Sequence, residues 1–265
     1  MGSATREALA SLRTALVVHS DSADLATGES LFDAGRVIGE SSQLLAAIGD
    51  ASADATAKAA LVRAVFAPTL TPAALELLQS AAAARWSSHQ DLLAGIEELG
   101  LRVTAASAPA DVSIDSELFT FGAAVSSDAE LELALTSKLT PAAAKLSLVD
   151  ALLSGKASAQ TLVIVRHLVQ QPRGRRIGEL LGDAAAIVAD QADTIIATVI
   201  SATPLHSTQL DRLAKSLSVR YGRNLTINQV IDASVVGGLK VQIGDDVIDG
   251  SIATRLKDLR LQLAG

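Results

Sequence analysis

The chain contains no cysteine. That removes disulfides, thiolate zinc sites, iron–sulfur ligation and cysteine nucleophiles, and it fits a cytoplasmic protein. Aromatic surface is scarce, with one Trp, one Tyr and four Phe among 265 residues. No run of about 18 uncharged apolar residues occurs, so no helix is expected to span a bilayer. The N-terminus sets Arg6 beside Glu7, with no clean apolar run behind them, and does not read as a secretory signal. There is no excess of positive charge either. Against 29 acidic residues stand 22 Lys and Arg, a net charge of −7, which gives no bulk electrostatic grip on nucleic acid.

Alanine is abundant, at 49 residues, and apolar residues make up 49% of the chain. Ala lowers the free energy of helix formation and allows close helix–helix contact. The expectation is helical bundles packed through Ala and Leu, too long in total for one domain of about 100–200 residues. Charge also divides the chain. Residues 193–265 carry 8 basic and 7 acidic residues, and residues 1–192 carry 14 and 22. A boundary near Ala192 follows.

Residues 1–108 read as six helices. Leu9, Leu12 and Leu16 form an apolar stripe from about Ser3 to His19. Asp21 or Ser22 caps a second helix carrying Leu25, Phe32 and Ile38, and Ser41–Ile48 makes a short third. Ser52 and Asp54 open a fourth, closed by Pro68. Thr71-Pro72 starts a fifth, with Thr as N-cap and Pro in the first turn. Ser87 or Ser88 starts a sixth that runs to about Ala106.

The next segment repeats this one. Leu31-Phe32 recurs as Leu118-Phe119, 87 residues on, and the same spacing pairs Ala57-Lys58 with Ala144-Lys145 and Leu61-Val62 with Leu148-Val149. One inserted residue then aligns Arg85 with Arg173 and Leu92-Leu93 with Leu180-Leu181. Residues 109–192 are therefore expected to be a second helical bundle, an internal repeat of about 31–95. It lacks an obvious first helix, and the sixth helix is a candidate to wall both bundles.

After residue 193 the period changes. Thr194–Ala202 is β-branched, and Leu225–Ile231 and Leu239–Ile243 alternate, with Val247-Ile248 as a short return. His206–Tyr221 is an amphipathic helix closed by Gly222, and a last helix from Asp249 would carry Ile252, Leu256, Leu259 and Leu263. The fold class expected is mostly α with a small α+β C-terminal domain: a six-helix bundle, a duplicated bundle, then a short sheet flanked by two helices.

The tail carries a resemblance. Val199-Ile-Ser-Ala-Thr-Pro-Leu205, Ile231-Asp-Ala-Ser-Val-Val-Gly-Gly-Leu239 and Ile243-Gly-Asp-Asp-Val-Ile-Asp-Gly-Ser251, followed by Arg255-Leu256 and Leu259, stand in an order similar to the delta subunits of bacterial F-type ATP synthases, the counterparts of the mitochondrial oligomycin-sensitivity-conferring protein. The duplicated helical part resembles the long form found in actinobacteria. Arg6-Glu7-Ala8-Leu9 stands where the family often has an aromatic followed by Ala, and Ala233 where it often has Pro. The resemblance implies a non-catalytic peripheral-stalk subunit at the cytoplasmic face of the cell membrane, with no cofactor and no membrane insertion. Its implied partners are the alpha subunits of the catalytic head and the C-terminal region of the membrane-anchored b subunit. For the alpha contact, a groove between the first and fifth helices nominates Leu9, Leu12, Leu16, Leu75, Leu78 and Ala82. For the b contact, the last helix nominates Ile252, Arg255, Leu256, Leu259, Arg260 and Leu263. Core packing accounts for several of these equally well. A helical scaffold of another membrane-associated complex would explain residues 1–192 but not the ordered tail.

No constellation of residues reads as catalytic. Gly237-Gly238 and Gly244 lack the P-loop ending and the dinucleotide fingerprint. Asp232, Asp245, Asp246 and Asp249 do not follow calcium-loop spacing and suit turns. His19, His89, His167 and His206 are scattered, and Ser251 lacks the nucleophile-elbow context. Arg173, Arg175 and Arg176, near Arg166 and His167, read as a solvated basic turn or a seat for an acidic helix. Trp86 reads as core filler or a partner anchor.

Overall fold

The structure, a computed structural model, describes residues 2–19, 24–137, 139–244 and 246–252. The chain divides into two compact units, 1–188 and 189–265.

The first unit begins with α1 (Ser3–Val18), α2 (Leu25–Glu40), α3 (Ser42–Gly49), α4 (Ala55–Phe66), α5 (Pro72–Ala83) and α6 (His89–Ala106). Their starts follow local capping chemistry. The side chains of Ser41, Asp54, Thr71 and Ser88 each accept a backbone N–H three residues on, at 3.3, 3.1, 3.2 and 3.1 Å. The cap of α2 is Asp24, whose carboxylate accepts from Thr27 N at 2.8 Å. Asp21 and Ser22, the expected caps, lie outside the described residues. A run of Asp and Ser offers several cap candidates in sequence, and the one used is that whose carboxylate reaches the unpaired N–H three residues on.

Buried Leu9, Leu12 and Leu16 of α1, Leu31 and Ile38 of α2, Leu77 and Leu78 of α5, and Leu92, Ile96 and Leu99 of α6 form one core. The close approach of α2 to α6 depends on glycine. A Cβ on Gly100 would stand 2.6 Å from the Phe32 ring, and one on Gly28 would stand 2.3 Å from Thr104 Oγ1. Trp86 is buried in the turn between α5 and α6 and donates from Nε1 to Ala81 O at 2.8 Å. It is core filler, not an exposed anchor.

Five helices follow: α7 (Ile114–Ser127), α8 (Ala129–Thr136), α9 (Ala142–Leu153), α10 (Ala159–Gln170) and α11 (Ile177–Gln191). The bounds of α8, α9 and α10 each lie 87 residues after those of α3, α4 and α5. Helix α10 packs on α7 and α9 and also reaches α2 and α6, so residues expected as two bundles lie within one compact unit.

The second unit holds β1 (Thr194–Ser201), α12 (Ser207–Tyr221), β2 (Asn224–Ile231), β3 (Leu239–Ile243) and β4 (Asp246–Asp249) in a sheet of order β2-β1-β3-β4. Strands β1 and β2 are parallel, in register Thr194↔Asn224, and α12 is the crossover between them. The β1–β3 and β3–β4 pairs are antiparallel. Ala197, Val199, Leu217, Val241 and Ile243 form the small core.

Candidate partner-docking site

The α1–α5 region is built from the leucine stripe of α1 and the apolar face of α5. Of the six residues nominated there, Leu9, Leu12, Leu16, Leu78 and Ala82 are buried, and Leu75 is half-buried at the edge of the core. What α1 presents outward is different: Val17 and Val18 are 73% and 76% exposed. Polar contacts fix α1 against α6. Thr5 donates to Asp91 Oδ2 at 3.0 Å, and Arg13 Nη2 and Arg102 Nε both donate to Glu98 Oε1 at 2.9 Å. At the other end of α1, His19 Nδ1 lies 3.5 Å from Glu76 of α5. The edge between α1 and α5 carries half-buried Ala15 and Leu75.

In the second unit, only Ile252 of the six nominated residues is described. It is 49% exposed, and its N–H donates to Gly237 O at 3.2 Å. Arg255, Leu256, Leu259, Arg260 and Leu263 lie outside the described residues. The motif residues that lead up to Ile252 build turns. Gly237 and Gly238 have φ of 65° and 79°, and a Cβ on Gly238 would stand 2.5 Å from Gly250 O. Asp232 and Asp249 accept from Ser234 N and Ser251 N at 2.8 and 2.9 Å. These are the turn roles the spacing suggests.

The strongest electrostatic feature is one sequence reasoning missed. Glu97 of α6 is buried, and three groups near or beyond the end of α10 converge on it. Arg175 Nη2 donates to Oε1 at 2.8 Å, Arg173 Nη2 pairs with Oε2, and His167 Nε2 lies 3.3 Å from Oε2. Burial pushes the Glu97 carboxyl upward. The hydrogen bond from His167 and the charges of Arg173 and Arg175 outweigh that and hold its pKa at about 2. Burial pushes His167 below its usual value, with the Glu97 hydrogen bond opposing and the charges of Arg173 and Arg36 reinforcing the fall. The imidazole is therefore neutral at pH 7. An ionised carboxylate can only accept, so Nε2 carries the proton and Nδ1, which has no partner, is bare. Phe32 stacks on the ring at 4.1 Å between centroids. The basic cluster is neither of the two things expected of it outright: its acidic partner is a carboxylate of its own chain.

The turn that delivers these arginines contains the one inserted residue of the repeat. Arg173 and Gly174 there have φ of 47° and 81°, which turns the chain back toward α6. Beside it runs a cleft of about 270 Å3 between α2 and α10. Its guanidinium groups are engaged: Arg36 with Asp33 and Gln170, Arg166 with Asp150. It offers little to an anion. Among the described residues, no cluster of three or more His, Asp or Glu side chains could hold a metal ion, and no helix is long and apolar enough to cross a membrane.

Comparison with known proteins completes these observations. The family described as ATP synthase delta (OSCP) subunit matches residues 103–263. The chain is 55% identical over 265 residues to the ATP synthase subunit delta of Leifsonia xyli subsp. xyli, covering 100% of both. It is 40% identical to that of Kineococcus radiotolerans, covering 90% of this chain and 88% of the relative. It is 36% identical to that of Streptomyces coelicolor, covering 100% and 98%.

Proposed function

Because the chain belongs to the ATP synthase delta (OSCP) subunit family, we propose that it is the stator link of the enzyme's peripheral stalk. In this reading it ties the alpha/beta head to the membrane-anchored b subunit from the cytoplasmic face of the cell membrane. The observation that carries the reading is full-length similarity to proteins named ATP synthase subunit delta. The mechanism is mechanical. A rotating central shaft exerts torque on the head, and that torque drives synthesis only if the head is held against the membrane sector. Such a link needs helix faces and grooves for other subunits' helices, and no active site.

Three bodies carry the link in this proposal: 1–108, 109–192 as its internal repeat, and 193–265. The common 87-residue displacement of α8–α10 from α3–α5 supports the repeat. The N-terminal helix of an alpha subunit would lie along the α1–α5 edge, touching half-buried Leu75 directly and covering the buried stripe behind it, Leu9, Leu12, Leu16, Leu78 and Ala82. The b subunit would meet the C-terminal segment carrying Ile252, Arg255, Leu256, Leu259, Arg260 and Leu263.

Calorimetric titration of the full chain with a synthetic peptide of the cognate alpha-subunit N-terminus tests the head contact. Saturable 1:1 binding that is lost on placing a charge at Leu75, at the half-buried edge, supports it. No binding at high micromolar peptide, or binding indifferent to that substitution, overturns it.

A further inference from the structure

A cavity of about 440 Å3 opens at the surface between α7, α8 and α9. That volume lies within the range of about 300–1,000 Å3 that holds a bound ligand. Its walls are mostly apolar, formed by Phe121 and Ala124 of α7, Leu131 of α8, Leu152 and Leu153 of α9, and Ala157, with four polar residues, Glu117 and Lys156 among them, completing the lining. This is not where a counterpart of α1 would lie. Helix α1 packs on α5 and α6, whose counterparts in the repeat are α10 and α11. The corresponding place in the first bundle carries bulkier, packed side chains at two positions. The counterparts of Leu153 and Ala157, 87 residues earlier, are Phe66, which is buried, and Leu70, which packs against that core. Both positions have smaller side chains in the second bundle.

The charge around the cavity has one sign on two of its three walls. From residue 103 to residue 137 the sequence has six acidic residues and no Lys or Arg. The Glu117 carboxylate is taken up by Ser158, accepting from its N–H at 3.0 Å and its hydroxyl at 2.6 Å. Glu130 and Glu132 are exposed on either side of Leu131. Lys156 is the cation among the residues that line the cavity. An apolar trough with acidic flanks repels an acidic helix and an anionic bilayer surface, and it complements a helix with apolar side chains on one face and Lys or Arg beside them.

We propose that the α7–α9 groove is a docking site for a basic amphipathic helix of a partner protein. It is a second site, separate from the α1–α5 edge, and it does not depend on that edge receiving a guest.

The test is calorimetric titration of the full chain with two designed 18-residue amphipathic peptides sharing one leucine face. One carries Lys at its flanking positions and the other Glu. The Lys peptide should bind saturably at 1:1 and the Glu peptide at least tenfold more weakly. Ala124→Trp fills the groove from an exposed position and should weaken the Lys peptide at least tenfold while leaving the helical circular dichroism unchanged. Glu130→Lys with Glu132→Lys, also exposed, should shift the preference toward the Glu peptide. Equal affinity for both peptides overturns the proposal, as does Lys-peptide binding that Ala124→Trp leaves unchanged, since that would be diffuse attraction to a protein of net charge −7.

Discussion

Substituting Glu97→Gln keeps the shape of the side chain and removes its charge, leaving Arg173 and Arg175 facing a neutral amide. Two routes give the size of the effect. The carboxyl is held at about 2 against an ordinary 4.5, and at 1.36 kcal/mol per pKa unit this corresponds to about 3 kcal/mol. Removing one partner of a buried ion pair costs about 3–5 kcal/mol, because the remaining charges stay buried without compensation. The two agree near 3 kcal/mol. For a folding unit of this size, 1 kcal/mol shifts the melting temperature by about 2–4 °C, so a fall of about 6–12 °C is expected for the helical part. Urea titration and calorimetry of the full chain measure it, and hydrogen exchange across 159–176 locates it. The pair of half-buried His19 with exposed Glu76 supplies the control: Glu76→Gln should change stability by less than about 0.5 kcal/mol. A loss below about 1 kcal/mol for Glu97→Gln, with unchanged exchange in α10 and the turn after it, would refute the claim that this cluster holds α6 and α10 together.

Acid should act in two stages. Burial lowers the pKa of His167 in the folded chain, so the unfolded chain takes up its proton first and stability declines as pH falls below about 6.5. The depressed pKa of Glu97 contributes stability that is full above about 4.5 and lost as pH falls toward about 2. Denaturant midpoints at pH 8, 5.5 and 3.5 should therefore decrease in that order, and a rise on acidification would contradict both assignments. At Gly95 a Cβ would stand 2.0 Å from Trp86 Cη2. Gly95→Ala should destabilise by about 1–3 kcal/mol through overpacking, despite the higher helix propensity of Ala, and should red-shift the emission of buried Trp86. Gly238→Ala places a side chain at positive φ against Gly250 O. It should cost at least about 2 kcal/mol, read as faster exchange of β3 and β4 amides in the full chain.

Local chemistry was legible in the sequence. Thr71-Pro72, Asp54 and Ser88 announced their helices, and the tail strands were visible as β-branched or alternating runs between glycine turns. The leucine stripe of α1 was legible as a stripe, but periodicity marks the face that is buried and does not say what covers it. Five of the six residues nominated for an alpha contact face their own bundle. The parallel pairing of β1 with β2 was not read either, although a strand–helix–strand order allows it. The Glu97 cluster was out of reach for another reason. Its members are 70 and 78 residues apart in sequence, and an arginine-rich turn looks the same whether its acid is solvent, a partner or a distant turn of its own chain.

That separation has a consequence during synthesis. Translation proceeds at roughly 5–20 residues per second, so the ribosome adds Glu97 about 4–16 s before Arg175, 78 residues later. Through that interval the face of α6 that will receive α10 is uncovered and faces solvent. An apolar residue at position 97 would make that face adhesive. A carboxylate there stays hydrated until the arginines arrive, so the residue that fastens the finished chain also interrupts that face with charge while it is uncovered.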